Sequence, residues 1–271
     1  MFFCVNIKSM QILPYFFVAL LGLVVGSFLN VVVLRLNTGR SIFKGRSQCL
    51  SCSVSLKWYE LLPVVSFIAQ RGKCHHCHSK ISWQYIIVEL ITAGVFVLIA
   101  SKFWPGGAGF LDTLLSPFTW YATVFSILIA ISVYDLRHKI IPDVLVYIFI
   151  GMSVLTAAWY IDFSNFSLNL DILAGPIFFA FFAFLWLISM GKWMGFGDAK
   201  LSLGIGLLLG WGSGLAAEAI GFWIGALVGI VLLLAGGRYL TMKHEIPLAP
   251  FLVVGTFLAF ILDLNILDWI F

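Results

Sequence analysis

Four of the five cysteines form two C-x-x-C pairs, Cys49/Cys52 and Cys74/Cys77, inside one polar segment. The strings read C-L-S-C, then 21 residues, then C-H-H-C. Such a pattern suits a tetrahedral Zn²⁺ held by four thiolates, because a two-residue gap lets each knuckle turn tightly and aim both sulfurs at one metal. A closed four-thiolate site leaves no position for water, so this Zn²⁺ is expected to be structural. The segment has too few residues for a large core of its own, and a metal cross-link would supply folding free energy. The competing readings are two reduced, unliganded pairs or a redox dithiol. His75, His76 and His78 crowd the second knuckle and are expected to lie outside the ligand set or exposed. Cys4 stands alone and reads as an apolar residue.

The second set of chemistry-bearing residues is acidic. Asp135 and Asp143 share the string Y-D-L-R-H-K-I-I-P-D, and Asp198 lies in M-G-F-G-D-A-K. Ionisable side chains within or at the edge of apolar spans are costly and are functional candidates by default. Two carboxylates brought together share a proton: one acts as base toward a water, and its protonated partner polarises a scissile carbonyl. Gly195 and Gly197 would let a substrate strand approach the backbone beside Asp198. Each aspartate also has a bland reading. Asp143 would cap a helix begun by Pro142. Asp135 would pair with Arg137, His138 or Lys139, and Asp198 with Lys200 or Lys192.

The elements that must position these residues follow from composition. Hydrophobic residues make up 62% of the 271 and charged residues 10%, against about 25% charged in soluble domains. Lipid must therefore be the main solvent. The fold class is an all-α polytopic membrane protein of about eight transmembrane helices, near 11–34, 83–102, 117–134, 142–161, 172–191, 199–211, 214–236 and 248–265. The stretch from Ile12 to Leu34 is too long for a signal peptide's apolar region and reads as a retained span. The domain organisation is a first span over 1–34, a cytoplasmic zinc-knuckle segment over 35–82 and a membrane domain over 83–271.

Orientation follows from the basic residues. With the N-terminus outside, all of the sixteen Lys and Arg except Lys8 and Lys102 face the cytoplasm, as the positive-inside rule requires. Asp135, Asp143 and Asp198 then sit at the cytoplasmic boundary. Trp104, Trp120, Trp159, Trp193 and Trp269 fall near span ends, and the run Phe178, Phe179, Phe181, Phe182 and Phe184 reads as lipid-facing or packing surface. No sequence repeat is evident, and no nucleic-acid partner is expected.

Taken together, these residues resemble the prepilin peptidases, the bifunctional leader peptidase and N-methyltransferase enzymes of type IV pilus and type II secretion systems. The likeness runs through G-S-F-L-N-V-V at 26–32, the two cysteine knuckles, I-S-W-Q-Y-I-I-V-E-L at 81–90, Y-D-L-R-H-K-I-I-P-D at 134–143 and G-F-G-D at 195–198. It implies that Asp135 and Asp198 are the catalytic aspartates, with Asp143 supportive. It implies prepilin or pseudopilin substrates, cut after a glycine at the cytoplasmic face of a bacterial inner membrane. It further implies methylation of the new N-terminus from S-adenosylmethionine, in which Glu89 and Gly94 would take part. The chain departs from the family's usual R-Y-P in reading Gln84, Tyr85, Ile86, and from R-L-P in reading R-L-N-T at 35–38. Neither change removes a cysteine or a catalytic aspartate. The alternatives are an intramembrane protease of the presenilin or signal-peptide-peptidase type and a non-enzymatic transporter or assembly component.

Overall fold

A computed structural model describes residues 7–103, 117–160, 170–235 and 246–266. Cys4, Trp104, Asp112, Asp162, Arg238, Lys243, Asp268 and Trp269 lie outside the described residues. The helices are α1 (Ile7–Arg35), α2 (Val65–Ala69), α3 (Gln84–Phe103), α4 (Pro117–His138), α5 (Asp143–Tyr160), α6 (Leu170–Ser189), α7 (Phe196–Ala235) and α8 (Ala249–Ile261), with a 3₁₀ turn at Trp58–Leu61. Among the described residues there is no strand, only two isolated bridges, Gln48 with Ser55 and Lys73 with Lys80.

Five of these helices are long and apolar enough to cross a membrane: Leu13–Arg35, Gln84–Phe103, Pro117–His138, Asp171–Ser189 and Phe196–Ala235. The expected spans at 142–161 and 248–265 correspond to two shorter apolar helices, Asp143–Trp159 and Ala249–Ile261. The expected spans at 199–211 and 214–236 are both parts of α7, which is interrupted at Gly210 (φ 74°, ψ −167°). Only glycine takes such a backbone cheaply. A Cβ placed on Gly214 would come 3.6 Å from Gly206 Cα, whereas eight residues of straight helix span about 12 Å. The chain therefore doubles back at Gly210, and residues equally spaced on either side of it face each other. The Asp171 carboxylate closes the bend by accepting the Trp211 N–H at 2.9 Å.

The chain divides into two compact units, Met1–Ala130 and Ile131–Phe271, with the boundary inside α4. In the first, α1 packs on α3. Apolar side chains gain little from leaving lipid for one another, so membrane helices associate through close van der Waals approach. Gly22 and Gly26 provide it: a Cβ on either would stand 2.6 Å from Ala93 Cα and 2.7 Å from Glu89 Cα. One turn on, the Asn30 amide donates to the carbonyls of Gly26 and Tyr85, both at 3.2 Å. Beyond the last turn, Arg35 donates to the carbonyls of Ser41, Lys44 and Arg46 and gathers the loop that leads to the cysteines.

In the second unit α7 packs against α5, α6 and α8. Gly206 meets the backbone of Gly175, and Gly204 lies under the Phe149 ring. The phenylalanine run on α6 splits by helical face: Phe178 and Phe182, four apart, are buried, while Phe181 and Phe184 are exposed. Trp159 and Trp193, at helix ends, are also exposed.

Candidate metal centre and aspartate site

The two cysteine knuckles have the same local architecture. In the first, Cys49 N–H donates to Val54 and Ser53 N–H donates back to Cys49. In the second, Cys74 N–H donates to Ser79 and His78 N–H donates back to Cys74. The residue after the second cysteine has positive φ in both, 58° at Ser53 and 56° at His78. The repeat extends past the cysteines in the sequence too, with Leu56 and Ile81 four positions, and Trp58 and Trp83 six positions, after the second cysteine of each knuckle, a likeness the sequence reading missed.

The knuckles converge so that all four cysteine sulfurs lie within 4.8 Å of one another, with Cys49 and Cys77 Sγ 3.8 Å apart. Zn–S bonds of about 2.3 Å place the sulfurs of a tetrahedron about 3.8 Å apart, so the residues present fit a four-thiolate zinc centre. Two of the sulfurs are held toward the anion, while desolvation and the neighbouring Cys49 and Cys77 sulfurs push the Cys52 thiol up to about 11. N–H groups of Cys52 and Ser51 lower the Cys49 thiol to about 6, and the Ser79 hydroxyl, 3.1 Å from Cys77 Sγ, lowers Cys77. His75, His76 and His78 are exposed and stand outside the sulfur cluster, as expected.

The aspartates occupy helix ends. α4 runs one turn past the expected limit of 134, so Asp135 sits within its last turn, and Lys139 N–H closes the helix on the Asp135 carbonyl at 2.7 Å. Asp198 lies in the first turn of α7. Its Oδ2 accepts the Gly195 N–H at 3.1 Å, the back half of a capping box with Asp in the usual Glu position. Asp135 and Asp198 are buried, 4% and 6% exposed, and close enough to interact electrostatically. The backbone N–H of Ala249, at the start of α8, lies beside the Asp135 carboxyl. Each carboxyl thus meets one backbone N–H at a helix N-terminus, where negative charge is favoured.

Neither bland pairing occurs among the described residues. Lys200 stands two positions from Asp198, and side chains so spaced on a helix do not face each other. Its Nζ instead reaches Asp143 at 2.6 Å, passing 5.1 Å from the Tyr147 ring centroid. Asp143 keeps its place in the first turn of α5, but Pro142 precedes the helix instead of starting it and accepts the Val146 N–H. Gly195 supplies the N–H to Asp198; Gly197 is fixed by Ile141, whose Cβ would lie 2.8 Å from an added Cβ.

Glu89 lies in α3 of the first unit and is buried. Its Oε2 accepts the Val64 N–H at 2.8 Å, and Ser27 of α1 lies beside it. Gly94, one turn further, has nothing within 4 Å of an added Cβ. Two buried acids were not foreseen: Glu60, which accepts the Lys57 N–H at 2.7 Å, and Glu218. Glu218, in the α7 limb after Gly210, is 6% exposed and adjoins Ser202 and Asp198. The string A-A-E-A-I in the middle of an apolar span carried that signal.

Residues 20–103 match the bacterial peptidase A24 N-terminal domain, and residues 122–236 match the type IV leader peptidase family. The chain is 33% identical over 249 residues to a prepilin leader peptidase/N-methyltransferase of Bacillus subtilis (strain 168), covering 92% of this chain and 94% of the relative. It is 32% identical over 231 residues to the Myxococcus xanthus (strain DK1622) protein of the same name, covering 82% of this chain and 64% of the relative. The protein of that name from Burkholderia pseudomallei (strain 1026b) is 30% identical over 267 residues, 88% of this chain and 82% of the relative. No solved structure matches the chain. The cysteine pairs fall within the first match and Asp135, Asp143 and Asp198 within the second, and the chain belongs to the type IV leader peptidase family.

Proposed function

We propose that this protein is a membrane-embedded aspartic endopeptidase that removes the leader of type IV prepilins and pseudopilins and then N-methylates the new N-terminal residue. The observation that carries the peptidase reading is the approach of Asp135 and Asp198, two buried carboxyls from separate helices. The Gly195 N–H holds Asp198 and the Ala249 N–H stands beside Asp135, leaving oxygen lone pairs free for a water and a shared proton. One carboxylate takes a proton from the water as it attacks the scissile carbonyl, while the protonated partner donates to the carbonyl oxygen. The resulting tetrahedral species collapses as the leaving amine takes up a proton. Two interacting carboxyls titrate as a pair, so neither step belongs permanently to one aspartate. Asp143 holds Lys200 beside the site and is supportive.

The active site is assigned to the cytoplasmic face of a bacterial inner membrane, with the N-terminus periplasmic. The basic residues of 35–82 and of the loops near Arg137, Lys139, Lys192 and Lys200 support this orientation. We read the two limbs of α7 as separate spans which, with the shorter α5 and α8, would make eight, and we assign 35–82 as a zinc-knuckle domain before a peptidase domain of 83–271. Cys49, Cys52, Cys74 and Cys77 would hold one Zn²⁺, which cross-links that domain without entering the reaction. S-adenosylmethionine would supply the methyl group. Glu89, which fixes the 58–69 segment to α3, is assigned to support of that activity, with Gly94 on the same helix.

The test is leader removal from a prepilin by purified Asp135→Asn and Asp198→Asn proteins, with zinc content measured in parallel. Each substitution abolishes cleavage and leaves zinc bound. Cleavage retained by both variants refutes the aspartyl mechanism.

A further inference from the structure

A buried polar group without a partner needs a physical explanation, and the second unit holds a close pair of them. Both carboxyl oxygens of Glu218 and the hydroxyl of Ser202 are buried without a hydrogen-bond partner. Their proximity follows from the bend at Gly210. Ser202 lies eight residues before it and Glu218 eight residues after, so the reversal that sets Gly206 beside Gly214 also sets Ser202 beside Glu218. The Ser202 hydroxyl stands next to the carboxyl without reaching hydrogen-bond geometry. On α7 itself, Ser202 is four positions from Asp198 and shares its helical face.

The other walls are apolar. α8 meets this part of α7 through Leu252 at Gly221 and through Gly255 at Ala217. α6 meets it through Phe182, stacked on Phe222 at 5.6 Å. Among the described residues, Ser202 and Asp198 stand beside Glu218, and neither supplies it a cation or an N–H. The cluster is rich in acceptors, and its one hydroxyl, on Ser202, does not reach them in hydrogen-bond geometry. Water, which brings two hydrogens and accepts in return, is the ligand that satisfies such a set.

We propose that Glu218 and Ser202 hold water against Asp198 and feed it to the peptidase reaction. Hydrolysis within a largely apolar helix bundle needs a route by which water reaches the carboxyls, and these two residues provide one without touching the substrate. Glu218 is thus a positioning residue acting through bound water. The inference rests on the aspartyl reading of Asp198, and its test is separable from that reading: retained cleavage in Asp198→Asn sinks the parent mechanism whatever Glu218 does.

The experiment measures kcat and KM for leader removal by the full-length protein carrying Glu218→Leu, Glu218→Gln or Ser202→Ala, with methyl transfer to a pre-cleaved substrate and zinc content as checks of folding. Loss of ordered water at a reacting centre predicts a kcat lowered about 30-fold in Glu218→Leu with KM within about 2-fold. Glu218→Gln, which still binds water, stays within about 3-fold of the parent, and Ser202→Ala falls about 5-fold. Wild-type kcat in Glu218→Leu overturns the proposal. So does an equal loss in Glu218→Leu and Glu218→Gln, which makes the carboxylate charge essential, as does activity that requires sodium, which makes the site a cation site. Should Glu218→Leu lose methyl transfer and zinc as well, Ser202→Ala decides: wild-type kcat there also overturns the proposal.

Discussion

Replacing Glu89 with alanine removes the acceptor that holds a strained turn in place. Val64 has φ 60° and ψ −50°, and Val65 N–H bonds back to the Pro63 carbonyl, which defines a γ-turn of the rare, strained hand. A β-branched residue in such a turn stores about 1–3 kcal/mol. Its N–H points to Glu89 Oε2 at 2.8 Å, and losing that acceptor costs about 1–3 kcal/mol. Taking about 2 kcal/mol for the bond, Glu89→Ala shifts the balance between held and released forms of residues 58–69 about 30-fold toward release. Val64→Gly removes strain of similar size from the held form, so the double variant returns to within a few-fold of the parent. Amide hydrogen exchange of peptides over 58–70 reads both effects. We expect faster exchange in Glu89→Ala, recovery in the double variant, reduced methyl transfer and unchanged leader removal. Parental exchange in Glu89→Ala, or no recovery with Val64→Gly, would refute the reasoning.

Four further outcomes are expected. Cys49→Ser/Cys52→Ser protein loses its zinc by elemental analysis and becomes protease-sensitive over 35–82. Acid acts in the same direction, because protons compete with the metal for the thiolates, and zinc content in a pH titration should fall as pH is lowered. Asp143→Asn breaks an ion pair whose Asp side chain is 62% exposed, so thermal unfolding should report less than about 1 kcal/mol of lost stability, with leader removal kept within a few-fold. Gly206→Ala places a Cβ 2.6 Å from Gly175 N; backbone cannot swing aside as a side chain can, and unfolding measurements should show about 1–3 kcal/mol of destabilisation.

The features legible in the sequence were those written in near neighbours. Each C-x-x-C pair declares its own turn, so the sulfur cluster was readable without knowing how the two turns meet. Asp135 and Asp198 drew notice as acids at the edges of apolar spans, but their role was read from the resemblance carried by Y-D-L-R-H-K-I-I-P-D and G-F-G-D. What could not be read depends on packing between distant residues. Lys200 chooses Asp143, 57 positions away, over the adjacent Asp198 because of where its helix face points. The Glu89 contact with Val64 likewise required α3 to dock against the 58–69 segment. Other features left signals that went unused. Gly22 and Gly26 form a G-x-x-x-G, and Glu218 is an acid in a window whose mean hydropathy hides it. The stretch G-W-G-S-G suggested a division of α7, but the sharp reversal is fixed by Asp171 reaching Trp211 from another helix.

The reversal at Gly210 also leaves the first limb of α7 short. From Phe196 to Leu209 it measures about 21 Å at 1.5 Å per residue, against a hydrocarbon thickness of about 30 Å. A bilayer answers such a mismatch by thinning locally. Lipid composition thereby gains a grip on the enzyme: thicker membranes would strain this limb, and thinner ones would relieve it, with Asp198 riding at its end.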